Sequence, residues 1–281
     1  MRLLFVSHSF PPPGRPLSNV GGMQRVATEL HAALRKRPEA NLKSLLLRTS
    51  WHWTSVNTIP FLFASLWRIY RLVKRQEIDV VLFSSMVTAS LAVPLQRVLA
   101  RHGVATAAIV HGLDVTTPFA PYQRFVPHVF KALDLVLPVS EATGQACLER
   151  RLTSEKLRVV PNGIDLDRFA ALEERSAMRR TLAETFSPPL PERALLLCSV
   201  GRQVKRKGFA WFIDQVMPRL PADVHYWLVG DGPEEVHIRA AIAQHGLGDR
   251  VRLLGRVSDE ALQTLYRGAD LFVMPNIPVA G

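Results

Sequence analysis

The stretch SVGRQVKRKGF, Ser199 to Phe209, decides both the fold prediction and the first functional hypothesis. It closes an apolar run, Ala194 to Val200, that is typical of a buried strand, and Gly208 opens a helical pattern. Arg202 and the three cations Lys205 to Lys207 therefore lie where a strand passes into a helix. In a parallel α/β sheet this edge binds ligands next to helix N-termini, so the stretch favours a diphosphate. A solvated charged turn is the structural alternative.

Later strand ends share this form and finish in glycine or proline: His225 to Val229 before Gly230-Asp231-Gly232-Pro233, Val251 to Leu254 before Gly255-Arg256-Val257, and Leu271 to Met274 before Pro275-Asn276. Upstream lies Pro161-Asn162-Gly163-Ile164-Asp165. Strand ends that repeatedly finish in glycine, with cations after the first, indicate a single crevice for a nucleoside diphosphate.

Six motifs stand in one order along nearly the whole chain: GGMQR (Gly21 to Arg25), HGLD (His111 to Asp114), PVSEAT (Pro138 to Thr143), PNGID, VGRQVKRKG and GDGP. In these motifs the chain resembles the retaining glycosyltransferases of family 4, also described as glycosyl transferases group 1. Each motif is weak alone, and together they are specific. The resemblance implies an α/β chain with the GT-B fold, in which two Rossmann-like lobes face each other across a cleft. It also implies a hexosyltransferase type of enzyme that uses a nucleotide-sugar donor.

Alternating strand and helix patterns predict parallel sheets with helices on both faces. A proline cluster, Ser187 to Pro191, follows a charged segment and indicates a boundary. We therefore predict an N-terminal acceptor-binding lobe over 1–165, a linker over 166–193 and a partial donor-nucleotide-binding lobe over 194–281. The family carries two glutamates, eight positions apart, just after the PN-containing strand. The chain ends before them, so the resemblance predicts a C-terminally truncated chain with an incomplete second lobe.

Composition favours a folded protein: the chain has 281 residues, of which 48% are hydrophobic. The N-terminus, MRLLFVSHSF, has the pattern of a first strand and not of a signal peptide, and no apolar run reaches the ~18 residues of a spanning helix. Cys147 and Cys198 fall in a helical and a strand pattern, which favours core packing in a reducing compartment. We expect a cytoplasmic protein.

The net charge of +11 is unevenly distributed along the chain. Residues 1–165 hold 20 Lys plus Arg and 10 Asp plus Glu, whereas the remainder holds 15 and 14. A basic first half implies an anionic partner, which is a phosphate group, a membrane surface or a nucleic acid. A nucleic-acid-binding α/β protein is the weaker alternative, because no helix-turn-helix, RRM or zinc module is recognisable. We predict no nucleic-acid partner.

The segment Ile59 to Arg75 mixes aromatic residues with cations. Arg68, Arg71 and Arg75 share one face at helical spacing, which is typical of a helix on an anionic membrane. An ordinary crossover helix with its apolar face on the sheet is the alternative. On the membrane interpretation, we predict that the protein contacts the inner face of the membrane peripherally.

Three residues are assigned to catalysis: His111, Arg202 and Lys207. Negative charge grows on the departing diphosphate, and the fixed cations Arg202 and Lys207 stabilise that transition state more than the ground state. Since no metal motif is visible, we predict an enzyme without a metal or cofactor, whose nucleotide sugar is a substrate. In the resembling family a histidine at the position of His111 contacts the donor sugar near the reacting centre.

Other residues are assigned to the donor: Gly21, Gly22, Gly201, Gly230, Asp231, Gly232, Arg256 and Val257. The last two would meet the base through backbone groups. By the resemblance, Arg25 lies near an anionic group of the acceptor, a glycan or lipid-linked molecule. Asp114 bonds either its neighbours or the acceptor. Because the glutamate pair is missing, an inactive remnant that binds sugar nucleotides is the alternative function.

Overall fold

The computed structural model describes residues 1–15, 21–163 and 175–278. The chain divides into two compact units, Met1–Ile164 and Asp165–Gly281. Each unit contains its own parallel sheet with helices, as the alternating pattern predicts. The acceptor and donor roles of the two units stay predictions.

The first unit has a parallel sheet in the order β2-β1-β3-β4-β5. Its strands are β1 (Arg2–Phe10), β2 (Asn41–Arg48), β3 (Val80–Phe83), β4 (Ala105–Val110) and β5 (Leu135–Pro138). Its helices are α1 (Gly22–Arg35), α2 (Trp51–Lys74), α3 (Met86–Ala89), α4 (Ala92–Arg101), α5 (Gly112–Thr116), α6 (Ala120–Ala132) and α7 (Glu141–Leu148). The strand order reverses between β1 and β3.

Strand β1 is buried on both faces of the first sheet. Leu4 and Val6 point into the main core with Ile69 of α2, whereas Phe5 points into a smaller cluster with Ala27 of α1. This alternation is the side-chain period of a strand, and it explains why the sequence of β1 is continuously apolar at first.

The second unit has a parallel sheet in the order β8-β7-β6-β9. Its strands are β6 (Leu195–Val200), β7 (Val224–Val229), β8 (Val251–Gly255) and β9 (Leu271–Phe272). Its helices are α8 (Arg175–Thr185), α9 (Phe209–Gln215), α10 (Glu235–Gln244) and α11 (Asp259–Gly268), and 3-10 turns include Lys205–Lys207. Here the order reverses between β6 and β9, so the four strands follow the 3-2-1-4 part of the doubly wound order 3-2-1-4-5-6.

The segment predicted as a linker, 166–193, needs a correction. Its first part, 166–174, lies outside the described residues, but α8 follows and packs on the second sheet. Leu182 is fully buried against Trp227 and Leu265, and a Cβ on Gly268 would approach Leu182 Cδ1 to 2.9 Å. The charges of this segment hid an apolar stripe at helical spacing, so the helix belongs to the second unit and not to a linker.

Helix α2 begins well before Ile59, the first residue of the segment in which the sequence mixes aromatic residues with cations. Trp51 and Trp53 lie in its first turn, and the helix continues through Pro60. Hydroxyl groups support this early start, since Thr54 donates to the Ser50 carbonyl at 3.1 Å. In the described part of the chain, no helix has the length and apolar character needed to cross a bilayer.

Candidate functional site

The strand-order reversal of the second sheet lies between β6 and β9, and open α/β sheets bind ligands at such reversals. The pairing of the two strands continues one residue past the end of β9. Val273 donates its N–H to the Cys198 carbonyl at 2.8 Å, and the hydroxyl of Ser199 donates to the Val273 carbonyl. This end of the sheet is therefore a fixed platform for the residues that follow each strand.

The cationic segment after β6 packs against the chain that follows β9. Lys205–Lys207 form a 3-10 turn, and Gly208 then adopts a left-handed conformation with φ 68°. A Cβ on Gly208 would collide with the Pro275 carbonyl oxygen, so only glycine fits. The N–H of Ile277 donates to the Arg206 carbonyl at 3.1 Å. The sequence-predicted cations are thus held at the carboxyl edge of the reversal.

Lys207 is the most distinctive of these cations. Its Nζ lies 3.4 Å from the thioether sulfur of Met274, and the side chain is half-buried over Gly201. Burial lowers the pKa of Lys207, and the neighbouring Arg206 lowers it further. Among the described residues no carboxylate forms an ion pair with Lys207. An anionic ligand would supply the counter-charge and reverse the pKa shift. Arg202 is exposed at the same edge.

The loops after β6 and β7 are joined by close backbone contacts. Gly230 has φ 120°, and a Cβ there would collide with the carbonyl oxygen of Gly201. The N–H of Gln203 donates to the Asp231 carbonyl at 2.8 Å. A Cβ on Gly232 would likewise collide with the Gln203 carbonyl oxygen. The structure therefore brings together Gly201, Gly230, Asp231 and Gly232, as the sequence predicted.

The side chains of Arg256 and Val257, two residues that the sequence predicts to meet a base through backbone groups, have contacts within the second unit. The guanidinium of Arg256 donates two hydrogen bonds to the carboxylate of Asp231, of 2.8 and 3.1 Å. The side chain of Val257 packs on the hydrophobic cluster around Trp227. These contacts fix the loops after β7 and β8 relative to each other. The backbone contact with a base stays a prediction.

Sequence reasoning missed Gln203, which is only 1% exposed. Its amide nitrogen donates to the Gly230 carbonyl at 2.9 Å, and its Oε1 has no partner among the described residues. Gln203 therefore ties the cationic loop to the glycine-rich loop. The sequence carries no signal for Gln203, because a glutamine among charged loop residues is usually exposed to solvent.

The first unit has its reversal between β1 and β3, and polar side chains are buried there. The hydroxyl of Ser84 donates to Ser7 Oγ at 2.9 Å, and Ser85 Oγ lies 3.3 Å from His8 Nδ1. Burial lowers the pKa of His8 to about 4, so its imidazole is neutral at neutral pH. Sequence reasoning missed this cluster, although polar residues ending two apolar strands were a signal for it.

His111 follows β4 at the same edge of the first sheet. A hydrogen bond with the backbone of Ser84 engages its ring, while Nε2 has no partner among the described residues. Burial lowers the pKa of His111, and the Ser84 bond opposes that shift. The Ser84 backbone thus holds the ring, and Nε2 is a buried nitrogen without a hydrogen-bond partner among the described residues.

Asp114 bonds its neighbours, which is the first of the two roles that the sequence left open. Its Oδ2 accepts the N–H groups of Met86 at 3.3 Å and His111 at 3.4 Å. Burial raises the pKa of Asp114 to about 6, and these two backbone bonds oppose the shift. The carboxyl group thus joins α5 to the backbone of Met86 and His111, and its contact with the acceptor stays a prediction.

Gly21 and Gly22 lie at the start of α1, after the loop that follows β1. Gly21 is the N-cap residue and offers no side chain to the first N–H groups of the helix. Arg25, predicted near an anionic acceptor group, forms an i,i+4 ion pair with Glu29 at 2.9 Å. Arg25 therefore lies against its own helix, and its acceptor contact stays a prediction.

The described residues of the PVSEAT and PNGID motifs include a helix cap and exposed positions. Ser140 caps α7 by accepting the Thr143 N–H at 3.2 Å, and Glu141 is exposed beside it. Asn162 and Gly163 are exposed, and Asp165 lies outside the described residues. Within the described ranges, no group of three or more His, Cys, Asp or Glu side chains is placed to hold a metal ion. Metal independence stays a prediction.

Two family models match this chain. The one described as Glycosyltransferase Family 4 matches residues 20–168, more than half of the chain, and the one described as Glycosyl transferases group 1 matches residues 194–280. The chain belongs to glycosyltransferase family 4. The resemblance seen in the six motifs is thereby confirmed.

Curated relatives have related names. The amylovoran biosynthesis glycosyltransferase AmsK of Erwinia amylovora is 24% identical over 176 residues, which are 61% of this chain and 40% of that protein. A GDP-mannose-dependent alpha-(1-6)-phosphatidylinositol monomannoside mannosyltransferase of Mycolicibacterium smegmatis is 29% identical over 213 residues, 74% of this chain and 53% of that protein. The matches thus span about half or less of these relatives' own lengths.

Solved structures show the fold. Anabaena Alr3699/HepE in complex with UDP superposes with a TM-score of 0.68 at 17% identity, over 98% of this chain and 74% of that chain. Sucrose-phosphate synthase from Thermosynechococcus elongatus gives a TM-score of 0.70 at 16% identity, over 98% and 75%. These likenesses confirm the predicted GT-B fold.

Proposed function

We propose that this family 4 chain is a retaining glycosyltransferase that moves a sugar from a nucleotide-sugar donor to a lipid-linked or envelope glycan acceptor. The observation that carries the proposal is Lys207, half-buried at the strand-order reversal of the second sheet without a carboxylate counter-ion among the described residues. A phosphate oxygen is the group that this ammonium lacks.

The chemistry follows from where charge develops. As the glycosidic bond to the nucleoside diphosphate breaks, negative charge grows on the leaving oxygen. Lys207 supplies a point charge and Arg202 a planar fork with two parallel donors, and both stabilise the departing diphosphate. On this proposal the two cations take the part of a metal ion, so the reaction needs no metal. Gln203 joins the loop after β6 to the loop after β7, and this link keeps the hydrogen-bond donors of Arg202 and Lys207 pre-organised.

In the first unit, His111 is proposed to contact the donor sugar through its imidazole ring. The ring is neutral because burial lowers its pKa, so it hydrogen-bonds a sugar hydroxyl without adding charge. Retention follows the front-face course, in which the leaving diphosphate helps to deprotonate the acceptor. Asp114 acts as a positioning residue, because its carboxyl group holds the backbone N–H of His111.

Relatives and solved structures support the donor and acceptor classes. HepE has been crystallised with UDP and with UDP-glucose, which supports a nucleoside diphosphate sugar as donor. Relatives are named for amylovoran, colanic acid and lipopolysaccharide core biosynthesis, which supports an envelope or polysaccharide acceptor. We propose that the chain acts in the cytoplasm, peripherally at the inner face of the membrane.

Calorimetric titration of UDP and GDP tests the donor site. We expect saturable binding of one of them, weakened at least about tenfold in Arg202→Ala and in Lys207→Ala, because each loses a charge-assisted hydrogen bond. Lys205→Ala is the matched control, since Lys205 is an exposed cation of the same turn. Unchanged affinity in both site variants, or binding of duplex DNA in place of either nucleotide, would refute the proposal. NMR of the product's anomeric proton tests retention.

A further inference from the structure

Helix α2 carries apolar side chains on two opposite faces. Ile69 and Val73 are buried and pack on the core of the first unit. The other face holds a row of exposed residues spaced three or four apart, here called the α2 stripe: Trp53, Val56, Ile59, Phe63, Trp67 and Tyr70. Phe63 is 70% exposed and Trp67 is 58% exposed. A crossover helix needs only the first face, so the stripe requires its own explanation.

The charges of α2 have one sign. The 24 residues Trp51–Lys74 contain no Asp or Glu. Cations gather at its C-terminal end, where the Arg71 guanidinium lies 4.5 Å from the centre of the Trp67 ring and Lys74 Nζ lies 5.9 Å from the Tyr70 ring. The stripe thus ends in aromatic rings covered by cations, the composition of a helix at an anionic interface.

A groove of about 350 Å³ opens beside this end of the helix, between α2 and β2. Its cations are Lys43, Arg68, Arg71 and Arg75, and the ring of Trp67 forms part of its wall. Glu77 faces them and pairs with Lys43 and with Arg75, which lowers the Glu77 pKa. Within the described part of the chain, Arg68 and Arg71 form no ion pair with a carboxylate. The groove therefore keeps an excess of positive charge.

We propose that the α2 stripe and this groove form a docking surface for an anionic lipid bilayer. The aromatic side chains enter the interfacial layer, and lipid phosphates take the free cations of the groove. The choice of a bilayer rests on the proposed function, whose acceptor is lipid-linked. Charge complementarity disfavours a second copy, because a two-fold contact would bring two cationic grooves together.

The placement of the surface suits this role. The groove touches the amino-terminal halves of β1 and β2, at Leu4 and Lys43, away from the edge that holds His111. The other end of the stripe, at Trp53, follows the carboxyl end of β2 and thus reaches the edge of the sheet where His111 lies. A bilayer along α2 would therefore approach the edge of the first sheet where the acceptor contact is proposed.

Co-sedimentation of the 281-residue chain with vesicles tests the proposal. We expect binding to phosphatidylcholine vesicles that contain phosphatidylglycerol and little binding to phosphatidylcholine alone. Arg68→Gln with Arg71→Gln should weaken binding about 30-fold, because each basic residue near an anionic leaflet contributes about a factor of five. Phe63→Ser with Trp67→Ser should weaken it at least about tenfold through lost apolar burial. Arg97→Gln with Arg101→Gln on α4 is the matched control and should bind normally.

Three outcomes would overturn the docking surface. One is no preference for anionic vesicles, and another is equal binding by Arg68→Gln with Arg71→Gln and by the α4 control. The third is a lipid-free dimer, seen by sedimentation velocity, that Phe63→Ser with Trp67→Ser converts to monomer, since this would assign the stripe to a second copy. UDP and GDP titrations of the same variants separate the two proposals. Lost vesicle binding with nucleotide binding intact concerns the surface alone, and the reverse concerns the donor site alone.

Discussion

The two sheets present different carboxyl edges. At the reversal of the first sheet, the groups are hydroxyls and neutral imidazoles that largely satisfy one another, such as Ser7 with Ser84 and Ser85 with His8. At the reversal of the second sheet, cations follow β6, and the half-buried Lys207 lies against the Met274 thioether without a carboxylate partner in the described part of the chain. Similar topology thus carries two chemistries. The first edge is suited to neutral, hydroxyl-rich ligands, and the second is suited to an anion.

Glycine-specific packing at the second edge gives the largest predicted effect. Gly230→Ala places a Cβ against the Gly201 carbonyl at φ 120°, so we expect a loss of about 4 kcal/mol in the free energy of unfolding and no nucleotide binding. Gly246→Ala is the control, because Gly246 also has a positive φ of 60° but open space around its Cβ position. Equal stability of the two variants in urea denaturation would contradict the close loop packing.

The second largest predicted effect is the pH dependence of stability that His8 and Asp114 produce at the carboxyl edge of the first sheet. Burial lowers the pKa of His8 to about 4, so its contribution to stability is complete above pH 6.5 and is lost as the pH falls to 4, by about 3 kcal/mol. Burial raises the pKa of Asp114 to about 6, so its contribution has the opposite sign and falls as the pH rises from 4 to 6. In the native protein the two slopes oppose each other.

Single variants should separate the two contributions to the pH dependence of the free energy of unfolding. In urea denaturation between pH 4 and 6.5, Asp114→Asn should gain stability with rising pH more steeply than the native protein. His8→Asn should show a smaller gain, or a loss, over the same range. Parallel curves for all three proteins would show that the buried polar groups of the first edge do not titrate as described.

The ion pair at the second edge gives the smallest effect. Arg256 and Asp231 are partly exposed, so their bidentate pair is screened by water. We expect Arg256→Gln to lower the free energy of unfolding by about 0.5 to 1 kcal/mol and to weaken nucleotide binding only a few-fold. Arg239→Gln, which removes an exposed i,i+4 pair with Glu235, is a matched control for stability. A much larger loss of binding would move Arg256 into direct contact with the nucleotide.

The sequence predicts the second edge better than the first for a physical reason. Apolar runs and strand-end glycines are local signals, and a cluster of cations such as Lys205 to Lys207 stays adjacent along the chain. His8 and Ser85 are 77 positions apart in the sequence, and no local pattern encodes their contact. The hydrogen bond between Asp114 and the Met86 backbone likewise joins residues far apart in the sequence, so no local pattern encodes it.

Amphipathic character was also only partly predictable. The charges of residues 175–185 concealed the buried Leu182, because a short apolar stripe inside a charged helix is weak without knowledge of the sheet it covers. For α2 the mixture of aromatic residues and cations was visible in the sequence. Which of its apolar residues are exposed depends on the packing of Ile69 and Val73.

The most direct test of the central claim compares nucleotides with and without phosphates. We would measure the dissociation constants of UDP, GDP and the matching nucleosides for the native protein, Lys207→Met and Lys205→Met. The account predicts that the gain in affinity from the diphosphate falls at least about tenfold in Lys207→Met and stays nearly unchanged in Lys205→Met. An equal diphosphate gain in all three proteins would contradict the claim that the second edge is built for a diphosphate.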